Sequence, residues 1–295
     1  MSTFRGHPLR ERSLLLALYM HRMATTSRLH ELVSTELHIT LTRRQLRGLR
    51  EGGLVERAAL SGRETIWYLT DRGRAVGAQL KEVQHRSSPP APESPFEARM
   101  RSEHTLAVLD AHLAFLKDAR RRGDEYGCLD WEPEIYHKVA EQGAEALIAD
   151  AVMRYTVVSP KRALHRAFIE VDRATMSSEA LAGKLLAYAR FHQLLPSPVR
   201  QRGGQVQSAM QVWRGYYPAF PRILFILAEG GAKAQLRRVR DLQALAQSSP
   251  LVESMFLTVR AGVASLREMQ ESGPSASVWS SLVEPQRARC GWMEL

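Results

Sequence analysis

The 295-residue chain has two cysteines, Cys128 and Cys290, too few for a disulfide framework or a cysteine metal centre. Its apolar runs, such as residues 223–228, fall far short of the roughly 20 residues that a membrane span needs. Arg5, Arg10 and Arg12 lead into Leu14-Leu15-Leu16, but polar residues and arginines follow without a cleavage signature, so no signal peptide is expected. There is no Gly-x-x-x-x-Gly-Lys loop, no dinucleotide fingerprint, and no Ser-x-x-Lys or Gly-x-Ser-x-Gly nucleophile. These absences point away from a secreted or membrane protein, an ATPase and a serine hydrolase. The expected compartment is the cytoplasm.

What is abundant is positive charge, and it is unevenly placed. The formal net charge is +10, from 41 basic and 31 acidic side chains. Residues 1–86 carry 15 of the basic groups and only 8 of the acidic ones, and Lys81 is the one lysine among them. A basic segment of this kind is the electrostatic footprint of a polyanion partner, usually nucleic acid. The bland alternative is a solubilising surface.

Four prolines between residues 86 and 95 cannot continue a helix or a central strand. The sequence therefore divides into a domain at 1–86, a proline-rich linker at 87–98 and a larger domain at 99–295. In the first domain, apolar spacing predicts a helix around Leu14, Leu15, Leu18 and Tyr19. Thr25, Thr26 or Ser27 would cap a second helix, and Thr40 or Thr42 a third that ends at Gly52-Gly53. Leu54-Val55-Glu56-Arg57 and Thr65-Ile66-Trp67-Tyr68-Leu69 read as a hairpin turning at Ser61-Gly62-Arg63, and Thr70 opens a further helix. This is the element order of a winged helix-turn-helix. The strings Arg43-Arg44-Gln45-Leu46-Arg47-Gly48-Leu49, Gly53-Leu54-Val55 and Tyr68-Leu69-Thr70-Asp71-Arg72-Gly73 resemble bacterial winged-helix DNA-binding domains. Leu46 and Leu49 would face the core. Arg43, Arg44, Gln45, Arg47 and Arg50 would face double-stranded DNA, with Arg57 and Arg63 on the wing. A protein-interaction module of the same fold is the competing reading.

Beyond the linker, the pattern predicts a helix at 101–119, strands at 129–134, 146–156 and 165–171, and a helix at 178–194. A strand at 222–228, a helix at 232–246 and a last strand at 254–259 follow. The αβββαβ order resembles restriction-endonuclease-like PD-(D/E)XK folds, so the fold class is α+β or α/β. Asp150 and Glu170 fall where that family carries metal-binding acids, which implies Mg²⁺ if the site cleaves DNA. Period-two alternation sets Asp172 on the face of Glu170. Two departures stand out: Ala149 replaces proline, and Asp172 replaces the catalytic lysine. Lys184, on the next helix, points toward the sheet and can substitute, as migrated lysines do in that superfamily. The rival is a structural Glu170/Asp172–Lys184 network, joined by Arg173, in a non-cleaving fold. His104, near the start of its helix, could orient DNA or water, or merely cap the helix. The arginines of 196–207 read equally as a phosphate track or a solvated loop, and Arg237, Arg238 and Arg240 as a solvated helix face.

A wider resemblance covers almost the whole chain. The winged helix, Glu103-His104, an Ala-Asp-Ala strand, Glu170-Val171-Asp172-Arg173-Ala174-Thr175-Met176, Lys184 and Tyr188 resemble the replication-relaxation family of plasmids and integrative elements. The resemblance implies DNA binding in replication, relaxation or its regulation. The alternatives are a Mg²⁺-dependent endonuclease or nickase, and a transcriptional regulator whose second domain forms a homodimer or binds an effector.

Overall fold

The computed structural model of the chain describes residues 8–33, 36–60, 64–84, 86, 92, 94–139, 146–174, 177–196 and 210–295. Contacts divide it into two compact units, Met1–Lys117 with Gly127–Trp131 and Asp118–Tyr126 with Glu132–Leu295.

In the first unit, α1 (Pro8–His21), β1 (Met23–Thr25), α2 (Thr26–Val33), α3 (Ile39–Glu51), β2 (Val55–Ala59), β3 (Thr65–Leu69) and α4 (Asp71–Ala78) follow in turn. Leu14, Leu15, Leu18, Leu29, Leu46 and Ile66 are buried completely and form the centre of this unit. The hairpin β2–β3 gains a third antiparallel strand, because Met23–Thr25 pairs with β3 on its other edge. That strand is too short to show a period in the sequence.

The start of α3 differs from expectation. Neither Thr40 nor Thr42 caps it: His38 does, its Nδ1 accepting the Thr40 N–H at 3.4 Å, while Thr42 is buried beside His30 Nδ1 at 3.0 Å. An imidazole nitrogen supplies the acceptor that a serine or threonine usually brings. At the other end Gly52 caps the helix, and Gly53 takes a φ of +68°, a conformation open to glycine.

The string Thr70-Asp71-Arg72-Gly73 joins the hairpin to α4 by two hydrogen bonds. Thr70 Oγ1 accepts the Gly73 N–H at 3.0 Å as N-cap and donates to the Gly53 carbonyl at 2.7 Å. Gly73 lies against the start of β2, where an added Cβ would come within 1.8 Å of the Leu54 carbonyl oxygen. Backbone cannot swing aside as a side chain can. Gly73→Ala should therefore destabilise this unit by about 1–3 kcal/mol or more, read as a lowered melting temperature. An unchanged melting temperature would show that the approach is looser than described.

The first unit does not end at residue 86. Helix α5 (Pro95–Arg122) is longer than the predicted 101–119, beginning at a proline whose missing N–H costs nothing in a first turn. Its Ala98 and Leu106 pack with Met23, Ala58, Ile66 and Tyr68. Asp110 accepts two hydrogen bonds from Arg28, at 2.7 and 2.8 Å, and Lys117 pairs with Glu31 at 2.7 Å. The division consequently falls at Lys117, inside α5, rather than within the expected linker at 87–98. Most of that linker, 87–91 and 93, lies outside the described residues.

The second unit is built on a six-stranded sheet of order β4-β5-β6-β7-β8-β9. Its elements are β4 (Trp131–Lys138), β5 (Ala146–Val157), β6 (Ala163–Asp172), α6 (Ser178–Gln193), β7 (Arg222–Leu227), α7 (Ala232–Ser248), α8 (Pro250–Phe256), β8 (Ala261–Ser265), α9 (Leu266–Ser272) and β9 (Ser280–Ser281). Strand β5 is antiparallel to β6, while β6, β7 and β8 run parallel. Strands buried on both faces read as near-continuous apolar runs, as 223–227 does. Phe168, Leu185, Tyr188, Phe191, Ile223, Phe225 and Val263 meet in the core between the sheet and α6.

The strand expected at 254–259 is an error of period. Residues 250–256 form α8, with Pro250 at its start and Val252, Met255 and Phe256 buried at helical spacing. The strand lies just beyond, at Ala261–Ser265. The chain is thus a mixed α+β protein whose residues 95–227 run helix, three strands, helix, strand. Among the described residues no helix is long and apolar enough to cross a membrane.

Candidate functional site

Two places collect the residues that the sequence marks out, one in each unit. In the first unit, a cleft of about 440 Å³ is lined by Arg43 and Arg47 of α3, Arg57 of β2, Thr65 and Trp67 of β3, and Thr25–Ser27 at the junction of β1 and α2. Arg43 and Arg47 are four residues apart and so share a helix face. Arg57, exposed between buried Val55 and Ala58 on β2, reaches the same space. Trp67 forms the floor, its Nε1 donating to Thr26 Oγ1 at 3.0 Å.

The remaining residues expected at this surface are distributed differently. Arg44 is exposed and Gln45 half-buried on α3, and neither lines the cleft. Arg50 is held by Glu56 at 2.7 Å. Arg63 lies outside the described residues. Glu64 also lines the cleft, a negative group that sequence reasoning passed over.

In the second unit, Asp150, Glu170 and Lys184 come together. Glu170 is buried to 1% exposure and Lys184 binds its Oε2 directly, with Asp150 Oδ1 3.6 Å from the same ammonium. Tyr188, one helical turn beyond Lys184, donates from its hydroxyl to Glu170 Oε1 at 2.6 Å. Asp150 Oδ2 accepts the Val171 N–H at 2.7 Å. Burial, reinforced by the neighbouring Asp150 charge, pushes the Glu170 carboxyl up to about 7. Burial alone would lower the Lys184 ammonium, but Glu170 and Asp150 outweigh it and leave it raised.

Asp172 is not part of this triad. It shares a face with Glu170, but Arg238 of α7 claims its Oδ2 at 2.5 Å and the Ala174 N–H its Oδ1 at 3.0 Å. Arg238 therefore does not belong to a solvated helix face, and Arg173 pairs with Glu229 at 2.8 Å. His104 sits exposed on α5 in the other unit. The loop at 197–209, and Thr175-Met176 of the marked string, lie outside the described residues.

A metal pair at Asp150 and Glu170 finds no support in this arrangement. Both Glu170 oxygens and both Asp150 oxygens already face donors of the chain itself. Among the described residues, no group of three or more histidine, cysteine, aspartate or glutamate side chains is arranged to hold a metal ion. Lys184 neutralises the paired acids instead, so the residues present do not fit a resident Mg²⁺. The participation of Tyr188 and Arg238 was missed. Tyr188 carried a signal, its i, i+4 spacing from Lys184; Arg238 carried none.

With known proteins the chain compares as follows. The sequence model of a family described as Replication-relaxation matches residues 15–204. No curated protein matches the chain. A solved structure of the restriction endonuclease FokI aligns over 90% of this chain with a TM-score of 0.30 and 13% identity. The chain spans 43% of that enzyme's length.

Proposed function

We propose, from the premise that this chain belongs to the replication-relaxation family, that it binds duplex DNA through the α3–β2 cleft of its first unit and serves in plasmid or mobile-element replication or relaxation. The observation that carries this reading is the convergence of Arg43, Arg47 and Arg57 on one cleft at the start of α2. Long guanidinium side chains from a helix and an adjoining strand suit a phosphate backbone, and the helix face suits a major groove. Binding should therefore weaken with salt, log K falling by about 0.9 per phosphate neutralised, so three cleft arginines contribute roughly 2.7 to the slope. Fluorescence anisotropy with a labelled duplex between 50 and 200 mM salt measures it. Salt-insensitive binding, or none, would favour a protein-interaction module.

The second unit we read as a non-cleaving scaffold, because Lys184 satisfies Asp150 and Glu170. Supercoiled plasmid incubated with the chain and Mg²⁺ or Mn²⁺ should remain supercoiled. Nicking that disappears in Asp150→Asn would restore the endonuclease reading.

A further inference from the structure

Beside the cleft arginines stand hydroxyls whose hydrogen-bonding roles are fixed from outside the cleft. Arg28 of α2 gives its Nε and Nη2 to the two carboxylate oxygens of Asp110 on α5, at 2.7 and 2.8 Å. A planar guanidinium held along that edge by a bidentate pair keeps one orientation. Its Nη1 therefore stays on Thr25 Oγ1, at 3.2 Å, and the Arg28 backbone N–H donates to the same oxygen at 3.4 Å.

A hydroxyl oxygen accepts two hydrogen bonds and donates one. Both acceptor positions of Thr25 are taken by donors of Arg28, so in its 2.9 Å contact with Ser27 Oγ the threonine is the donor. Ser27 accepts that bond, and its own O–H has no acceptor among the described hydrogen bonds. Ser27 is exposed and lines the cleft. Thr26 repeats the pattern: the Trp67 Nε1–H can only donate, so Thr26 Oγ1 accepts and its O–H is likewise left over. With Arg43, Arg47 and Arg57, the described lining thus offers hydrogens from both alcohols and guanidiniums, Glu64 being the exception. Phosphate oxygens only accept, and match this polarity.

We propose that Asp110 and Arg28 are positioning residues for the duplex cleft: through Thr25 they set Ser27 to donate its hydroxyl hydrogen to a DNA phosphate. The inference rests on the duplex-binding reading and adds to it a contact that carries no charge. The full chain and a labelled mixed-sequence duplex test it by anisotropy across a salt series. Ser27→Ala should weaken binding on the order of 10-fold, as for a hydrogen bond to a charged group, and leave the slope of log K against log salt unchanged. Thermal unfolding should hardly move, because Ser27 is exposed. Arg28→Met with Asp110→Leu exchanges the ion pair for apolar side chains at constant net charge. It should weaken binding roughly 3-fold with the slope again unchanged, and cost nothing further when added to Ser27→Ala. Thr25→Val, which deletes the relaying hydroxyl alone, should show the same pattern and serves if the exchanged pair does not fold. A purely structural role would give equal losses with and without Ser27→Ala, and that result overturns the proposal. So does an unchanged affinity in Ser27→Ala, or a slope that falls by about 0.9 in the exchanged pair, which would make Arg28 itself the phosphate ligand. Failure of the underlying reading has its own signature, a wild-type chain that binds no duplex, and it overturns both.

Discussion

Lys184→Met should lower the stability of the chain by about 3–5 kcal/mol, the range found when a buried ion pair loses one partner. The variant removes the only cation that Glu170 and Asp150 share among the described ion pairs, yet keeps most of the side-chain volume. Two carboxylates are then left facing each other in a nearly dry site. The cost should depend on pH, with a sign fixed by Glu170. Its folded value of about 7 exceeds its ordinary 4.5, so the folded state holds this proton more tightly than the unfolded one. Stability from that group is fully present below about 4.5 and is lost as pH rises through about 7. The penalty of Lys184→Met should accordingly be smaller at pH 5, where Glu170 can keep a proton, than at pH 8. Thermal or urea unfolding at the two pH values measures it. Adding Glu170→Gln should recover a large part of the loss, because one of the stranded charges is gone. A penalty below 1 kcal/mol at pH 8 would mean that the ammonium is screened by water and carries no structural role.

Replacing Arg43, Arg47 and Arg57 together by alanine should weaken duplex binding roughly 100-fold at physiological salt, since each removes a charge-assisted contact. All three are exposed, so the melting temperature should hardly move. The slope of log K against log salt should fall by two to three. Arg50→Ala makes the contrast: its guanidinium is held by Glu56, outside the cleft, and its removal should cost much less. Equal losses for Arg50→Ala and for any one of the cleft arginines would argue for diffuse attraction rather than a built surface.

The sequence made the elements with a strong period legible. Leu46 and Leu49 announced α3, the apolar run at 223–227 announced a central strand, and the alternation that set Glu170 beside Asp172 was enough to find the acids. It pointed to Lys184 as the partner of Glu170 but not to Arg238 as the partner of Asp172. Asp172 stands two residues from Glu170, and only the position of α7 decides that it meets Arg238 rather than Lys184. Helix α8 is hidden in the sequence because 254–259 is a short apolar stretch without a decisive period, and its one start signal is Pro250. The domain boundary failed for a similar reason. Prolines mark where a helix cannot continue, but they carry no record of what the following helix packs against, and Arg28–Asp110 joins residues 82 positions apart.

The two acids of β6 have a consequence for how the chain specifies its own topology. Glu170 answers to α6 through Lys184 and Tyr188, and Asp172 answers to α7 through Arg238. A chain trace in which the two helices exchanged places would bring a guanidinium with several rigid donors to the carboxylate that now takes one ammonium and one phenol. Tyr188 would lose its acceptor. Charges placed two residues apart therefore act as addresses, each recognised by one helix, and they discriminate between arrangements that apolar packing alone would accept with little preference. The carboxylates of β6 thus encode the order of helices along the sheet.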